Sequence, residues 1–175
     1  MGTRCVRAFR ELRWNPPVAA PPEAERRFTG DLLTVLRDLD AFLPLILHDY
    51  PVQDTVLREG RVADYPVVAI RELLMNAIMH RSYDSNAPMR FHRFADRIEI
   101  QNPGGLYGMA LPENFPRQTD YRNPVVSEAM AALGYVNRYG RGVLRAQEAL
   151  RKNGNPEASF TFELTHFLAT TRGSA

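Results

Sequence analysis

Hydrophobic positions along the chain recur with two periods, and these divide it into helices and strands. From Tyr65 to Tyr83, YPVVAIRELLMNAIMHRSY, apolar residues return at Val67, Ile70, Leu74, Ala77 and Ile78 with Leu73 beside them. That spacing predicts one amphipathic helix with a broad face suited to a sheet. Pro66 fits its first turn, where a missing N–H costs nothing. A second helix is predicted from Asp31 to His48, with Leu32, Val35, Leu36, Leu39, Phe42, Leu43, Ile46 and Leu47 in period and Pro44 kinking it or ending it early. Asn123-Pro124 opens a third, running through Leu133 to Gly134, with Val125, Ala129, Met130 and Leu133 turned to the core. Val143 to Lys152 is the fourth, stopped by Asn153-Gly154.

The strand patterns lie between these. Met89 to Phe94 and Ile98 to Gln101 flank Ala95-Asp96-Arg97 at hairpin spacing. Val52 to Glu59 reads as one strand closed by Gly60, and Cys5 to Arg10 as another. Phe160 to Leu168 alternates Phe160, Phe162 and Leu164 with Thr161, Glu163 and Thr165, a closing strand with one buried face. Asn15 to Pro22, NPPVAAPP, is a semi-extended proline-rich connector. Leu106 to Arg122 is long for a connection inside a compact domain, which points to a lid or a disordered loop. The expected layout is therefore a terminal strand in 1–14, a linker in 15–27, a main domain in 28–170 and a tail in 171–175.

Charge and cysteine content narrow the possible partners. Lys and Arg exceed Asp and Glu by only 22 to 20, too little for a general nucleic-acid field, so any polyanion site must be local. Arg4, Arg7, Arg10 and Arg13 could form such a strip, although a solvated strand face is the better explanation of them. Cys5 is the single cysteine, which leaves no internal disulfide and suits a reducing compartment. The most hydrophobic run, Ala41 to Leu47, is far too short to span a bilayer. The expected setting is the cytoplasm, with no membrane partner.

Three features carry candidate chemistry. Glu72, Asn76 and His80 stand at i, i+4 and i+8 on one edge of the central helix. Asn is a mediocre helix former, so its place mid-helix suggests that its amide is used. A carboxylate beside a side-chain carbonyl offers hard oxygen ligands to Mg²⁺, which borrows further oxygens from phosphate, and the carboxylate could activate water. Asn102-Pro103-Gly104-Gly105 ends a strand, where glycines let backbone amides approach a ligand. Arg138-Tyr139-Gly140-Arg141-Gly142 feeds a helix N-terminus, an arrangement that favours phosphate. Each also has a plainer reading as a solvated stripe, a simple turn or a packing turn.

In order and spacing, RELLMNAIMHRSY, DRIEIQNPGG, YRNPVVSEAMAALG and NRYGRGV resemble the C-terminal domain of proteins described as RecG-related ATP-dependent DNA helicases, or as transcriptional regulators with a Schlafen-type AlbA-like domain. The resemblance covers about Phe28 to Leu168 and extends to the GHKL ATPases, which include gyrase, histidine kinases and the MutL proteins. It implies an α/β fold, a two-layer α+β sandwich with helices over one face of a mixed sheet. It implies ATP and Mg²⁺ as cofactors, with Glu72 as catalytic base and Asn76 as metal ligand. His80, Asn102, Gly104, Gly105, Arg138, Gly140, Arg141 and Gly142 would bind the nucleotide, and Leu106 to Arg122 would be the lid. Where those ATPases carry an adenine-reading Asp, this chain reads Gln101-Asn102-Pro103, and Asn102 can accept a hydrogen bond only as a neutral amide. The expected role is an ATP-binding domain with at most weak ATPase activity and no helicase motor, a possible homodimer, reaching DNA only through other domains of a parent protein. A non-catalytic scaffold and a nucleic-acid-binding module remain as alternatives.

Overall fold

The structure is a computed structural model that describes residues 24–28, 30–117, 120–136 and 140–174. The expected strand Cys5–Arg10, the connector Asn15–Pro22 and Arg138 lie outside the described residues. The described chain runs β1 (Ala24–Phe28), α1 (Leu32–Ile46), β2 (Asp49–Thr55), β3 (Arg58–Ala63), α2 (Val67–His80), β4 (Met89–Arg93), β5 (Arg97–Pro103), α3 (Pro124–Ala132), α4 (Gly142–Asn153), β6 (Ser159–Phe162) and β7 (His166–Arg172).

Helices lie against one face of a five-stranded sheet ordered β1-β4-β5-β7-β6, and β2 and β3 form a separate hairpin. This is the expected two-layer α+β sandwich. The sheet is not mixed, however: every pairing is antiparallel. The chain leaves β5, crosses α3 and α4 and returns in β6 with the same direction as β5, but β7 pairs between the two. These two like-directed strands are thereby kept from forming a parallel ladder.

The core forms because each element buries one side. Asp31 Oδ1 accepts from Leu33 N–H at 3.0 Å and from Thr34 N–H at 3.1 Å, which starts α1. The helix then buries Leu36, Leu39, Leu43 and Ile46 and ends two residues beyond Pro44. Helix α2 is buried nearly all round, with Ala69, Ile70, Leu73, Leu74, Ala77 and Ile78 inside. These meet Met89, Phe91, Ile98, Ile100 and Ala169 of the sheet. Fully buried side chains of this kind each contribute about 1.5–3 kcal/mol. Val67, expected in the core, is half exposed at the start of the helix.

Strand β1 begins at Ala24, within 15–27, and β7 continues to Arg172, beyond 170. Three expectations are corrected. The single strand expected over Val52–Glu59 is a hairpin, with Val56 and Leu57 at its turn and almost wholly exposed. Phe160–Leu168 is likewise two strands, hinged at Glu163-Leu164-Thr165 with Leu164 out in solvent. On α3 only Met130 is buried, and Val125, Ala129 and Leu133 face outward. Their spacing marks an apolar helix face, but spacing does not say that the fold covers it. Among the described residues no helix is long and apolar enough to cross a membrane.

Candidate functional site

A cavity of about 710 Å³ opens between α2, the end of β5, the loop after it and the start of α4. It lies within the roughly 300–1,000 Å³ typical of small-molecule sites. Its walls include Glu72, Asn76, His80, Asn102, Gly104, Gly105, Gly140, Arg141 and Gly142. The structure thus brings together all the sequence-predicted site residues that it describes.

The α2 stripe enters the cavity in graded environments. Glu72 is buried, and its Oε1 accepts from Arg71 Nη1 at 3.0 Å and pairs with Arg145 Nη1 at 3.1 Å. One turn on, Asn76 is partly exposed, and its carboxamide makes no hydrogen bond to another described residue. His80, in the last turn, stacks on Tyr121 with ring centroids 5.7 Å apart and planes 16° from parallel. Burial pushes its imidazole below the ordinary value, the Arg122 charge pushes the same way, and Asp120 partly offsets both. Its neutral form is therefore favoured.

Asn102 sits at the end of β5, opposite Phe167 in the β5–β7 ladder. It is 2% exposed, and its Oδ1 has no hydrogen-bond partner among the described residues. A buried acceptor left unpaired costs about 1–3 kcal/mol, so it calls for a ligand or another explanation. The glycines after it have packing reasons of their own. A Cβ on Gly104, whose φ is +94°, would stand 2.9 Å from Ser82 Cβ, and one on Gly105 would collide with the Glu163 carbonyl oxygen. Gly104 is required by its left-handed backbone beside Ser82, and Gly105 by its close approach to the Glu163–Thr165 turn.

At the other wall α4 begins at Gly142 with Arg141 in the N-cap position and no side-chain capping hydrogen bond. The first-turn N–H groups of a helix have no intrahelical partners and carry the positive end of its dipole. Gly142 also admits Glu72, since a Cβ there would lie 3.0 Å from Glu72 Oε2.

The described parts of the loop, 106–117 and 120–122, wall one side of the cavity. Phe115 packs edge-on against Phe160 and Phe162, each at 5.0 Å between centroids, and against Phe167 at 5.8 Å. Asn114 ties the loop internally by accepting from Leu111 N–H and donating to Met109 O. Arg122 donates to Gly105 O at 3.1 Å and lies over the Tyr107 ring. Asn123, expected as the cap of α3, instead donates to Met79 O and Arg81 O at the end of α2.

Sequence reasoning missed Arg145, Arg71, Tyr121 and the Phe115 contacts. A buried Glu72 demands a cation, and Arg145 lies one turn beyond Gly142, so that pair could have been sought. The ring contacts left no periodic trace.

Residues 86–171 match the model of a protein family described as "Putative ATP-dependent DNA helicase recG C-terminal". This segment is similar to that family. The RecG C-terminal match takes in Asn102, the loop over the cavity and the glycine turn, whereas Glu72, Asn76 and His80 precede it. A solved structure with the same fold is the DIP2311 protein from Corynebacterium diphtheriae, with a TM-score of 0.74 and 24% identity over 81% of this chain. The chain spans 29% of the length of that protein. No curated protein matches the chain.

Proposed function

We propose that the chain is a nucleotide-binding domain whose ligand is ATP taken with Mg²⁺. The observation that carries this is Asn102, a side chain 2% exposed in the wall of the cavity whose Oδ1 has no partner among the described residues. A purine amino group would satisfy it. The first turn of α4 lines the same cavity and suits the phosphates. The match of residues 86–171 to the RecG C-terminal family supports the reading.

The residues also fit the metal. Among the described residues there is no cluster of three or more His, Cys, Asp or Glu that could hold an ion by itself. That suits Mg²⁺, which keeps its waters and is held by one or two protein oxygens together with substrate phosphates. Asn76, with its carboxamide unengaged, is the residue that would hold it. Bound there with the phosphates, the ion supplies charge neutralisation. Asn102 orients the base, His80 and Tyr121 wall the cavity, and the loop pinned by Phe115 excludes water.

Thermal unfolding with and without Mg-ATP, run beside Asn76→Ala, tests the reading. Ligand at a hundredfold its dissociation constant adds about 2.7 kcal/mol, which raises the midpoint by roughly 5–10 °C at this size. A rise in the wild type that is lost in Asn76→Ala is expected. A cooperative melt that millimolar Mg-ATP leaves in place would sink it.

A further inference from the structure

We propose that Arg145 is a phosphate-responsive gate on Glu72, holding the carboxylate in the ligand-free protein and exchanging it for the ligand's phosphates. The proposal rests on the nucleotide reading for the identity of the ligand, but its own chemistry is that of any polyphosphate.

Glu72 Oε1 faces two guanidinium groups that are not equivalent. Arg71 is fixed twice, by Nη1 to Glu72 and by Nη2 to the Tyr135 carbonyl at 2.6 Å. Arg145 reaches Glu72 at 3.1 Å by one nitrogen, and its side chain is 42% exposed and lines the cavity. Arg145 is the partner free to move. The other oxygen, Oε2, lies close enough to Gly142 that a Cβ would stand 3.0 Å from it. The Glu72 carboxylate therefore occupies the space beside the first turn of α4, with a cation already on it.

An anionic group beside a helix N-terminus and an arginine is what a phosphate would be in that place. Carboxylate and phosphate compete for the same donors. Phosphate offers more oxygens and accepts the arginine fork at least as well as a carboxylate does. When a polyphosphate enters, Arg145 turns to it, and Glu72 remains on Arg71 alone with one lone-pair direction of Oε1 released. No bond is made or broken in this exchange. Arg145 is a positioning residue for Glu72, and Glu72 is a competitor of the phosphates until it lets go.

The two residues should consequently have opposite effects on anion affinity, which a merely structural ion pair would not give. Calorimetric titrations without metal would use adenosine and inorganic tripolyphosphate on the wild type, Arg145→Ala, Arg145→Lys and Glu72→Gln. Arg145→Ala should weaken tripolyphosphate by about tenfold, the effect of one charge-assisted hydrogen bond, and leave adenosine unchanged. Arg145→Lys should restore part of the loss and serves if the alanine variant does not fold. Glu72→Gln should tighten tripolyphosphate several-fold by freeing Arg145. Weaker tripolyphosphate binding in Glu72→Gln, or equal losses for adenosine and tripolyphosphate in Arg145→Ala, would overturn the gate. Opposite effects on tripolyphosphate with no adenosine binding would sustain the gate and overturn the nucleotide reading. Failure of the wild type to bind either probe would overturn both.

Discussion

Replacing Asn102 by leucine should make the ligand-free protein more stable and abolish its response to nucleotide. Leucine keeps the branched outline of asparagine, and the β5–β7 ladder at this position uses only the backbone opposite Phe167. What changes is the unpartnered Oδ1 on a residue 2% exposed. Removing a buried unsatisfied acceptor recovers about 1–3 kcal/mol. The bulkier methyl groups take some of that back, because overpacking a filled site costs about 1–3 kcal/mol when nothing yields. The open cavity beside Asn102 lets the new side chain relax, so a net gain of about 1 kcal/mol is expected, or roughly 2–4 °C in midpoint for a chain of this size. The assay is thermal or urea unfolding of both proteins, first alone and then with millimolar Mg-ATP. The expected pair of results is a higher midpoint for Asn102→Leu alone and no further rise with ligand. A lower ligand-free midpoint combined with an intact ATP response would show that the carboxamide supports the fold and reads no ligand, and the argument from the orphaned oxygen would fail.

Other consequences can be checked with the same material. Asn102→Asp replaces a group that can both donate and accept by one that only accepts when ionised, so ATP should be preferred over GTP more strongly than in the wild type; competition titrations showing no change in that ratio would remove Asn102 from base recognition. His80 is held below its ordinary 6.5 by burial first. The unfolded chain then takes up the proton before the folded one does, so stability is full above about pH 6.5 and falls as pH drops through the lower folded value. His80→Gln should flatten the change in midpoint between about pH 7.5 and about pH 5, and an unchanged slope would place its origin elsewhere. Phe115→Ala removes the ring packed on Phe160, Phe162 and Phe167. It should cost about 1–2 kcal/mol for a partly buried aromatic and speed proteolysis within 106–117, with cleavage at the wild-type rate counting against a pinned loop. Gly105→Ala drives a methyl group into the Glu163 carbonyl, and a loss of at least about 1–3 kcal/mol in chemical denaturation is expected.

The parts of the site that were legible in the sequence are those where local periodicity and chemistry coincide. Glu72, Asn76 and His80 could be placed on one edge because a helix repeats every 3.6 residues, and Asn102 with Gly104 and Gly105 could be placed at a strand end because turn residues follow it. The β4–β5 hairpin was legible for the same reason. What escaped depends on contacts distant in sequence. Arg145 meets Glu72 only after α4 docks on α2, and Asn123 serves the end of α2 instead of its own helix. Val125 and Leu133 have the spacing of a buried face, yet the helix they belong to turns them outward. The turn at Val56-Leu57 lacks glycine, proline and asparagine, so a hairpin read as one strand.

The Arg122–Gly105 hydrogen bond has a further consequence. It joins the two feet of the loop over the cavity, close to where Asn123 is itself moored to the end of α2. A loop whose ends are already held together has settled its closure entropy, which depends on the distance its ends must be brought. Lifting its tip need not part the feet or disturb the sheet. Substitutions in this loop that spare the Phe115 ring contacts can therefore retune how often the cavity is open while the melting behaviour of the domain hardly changes. The rim of the site is free to diversify on a foundation that stays the same.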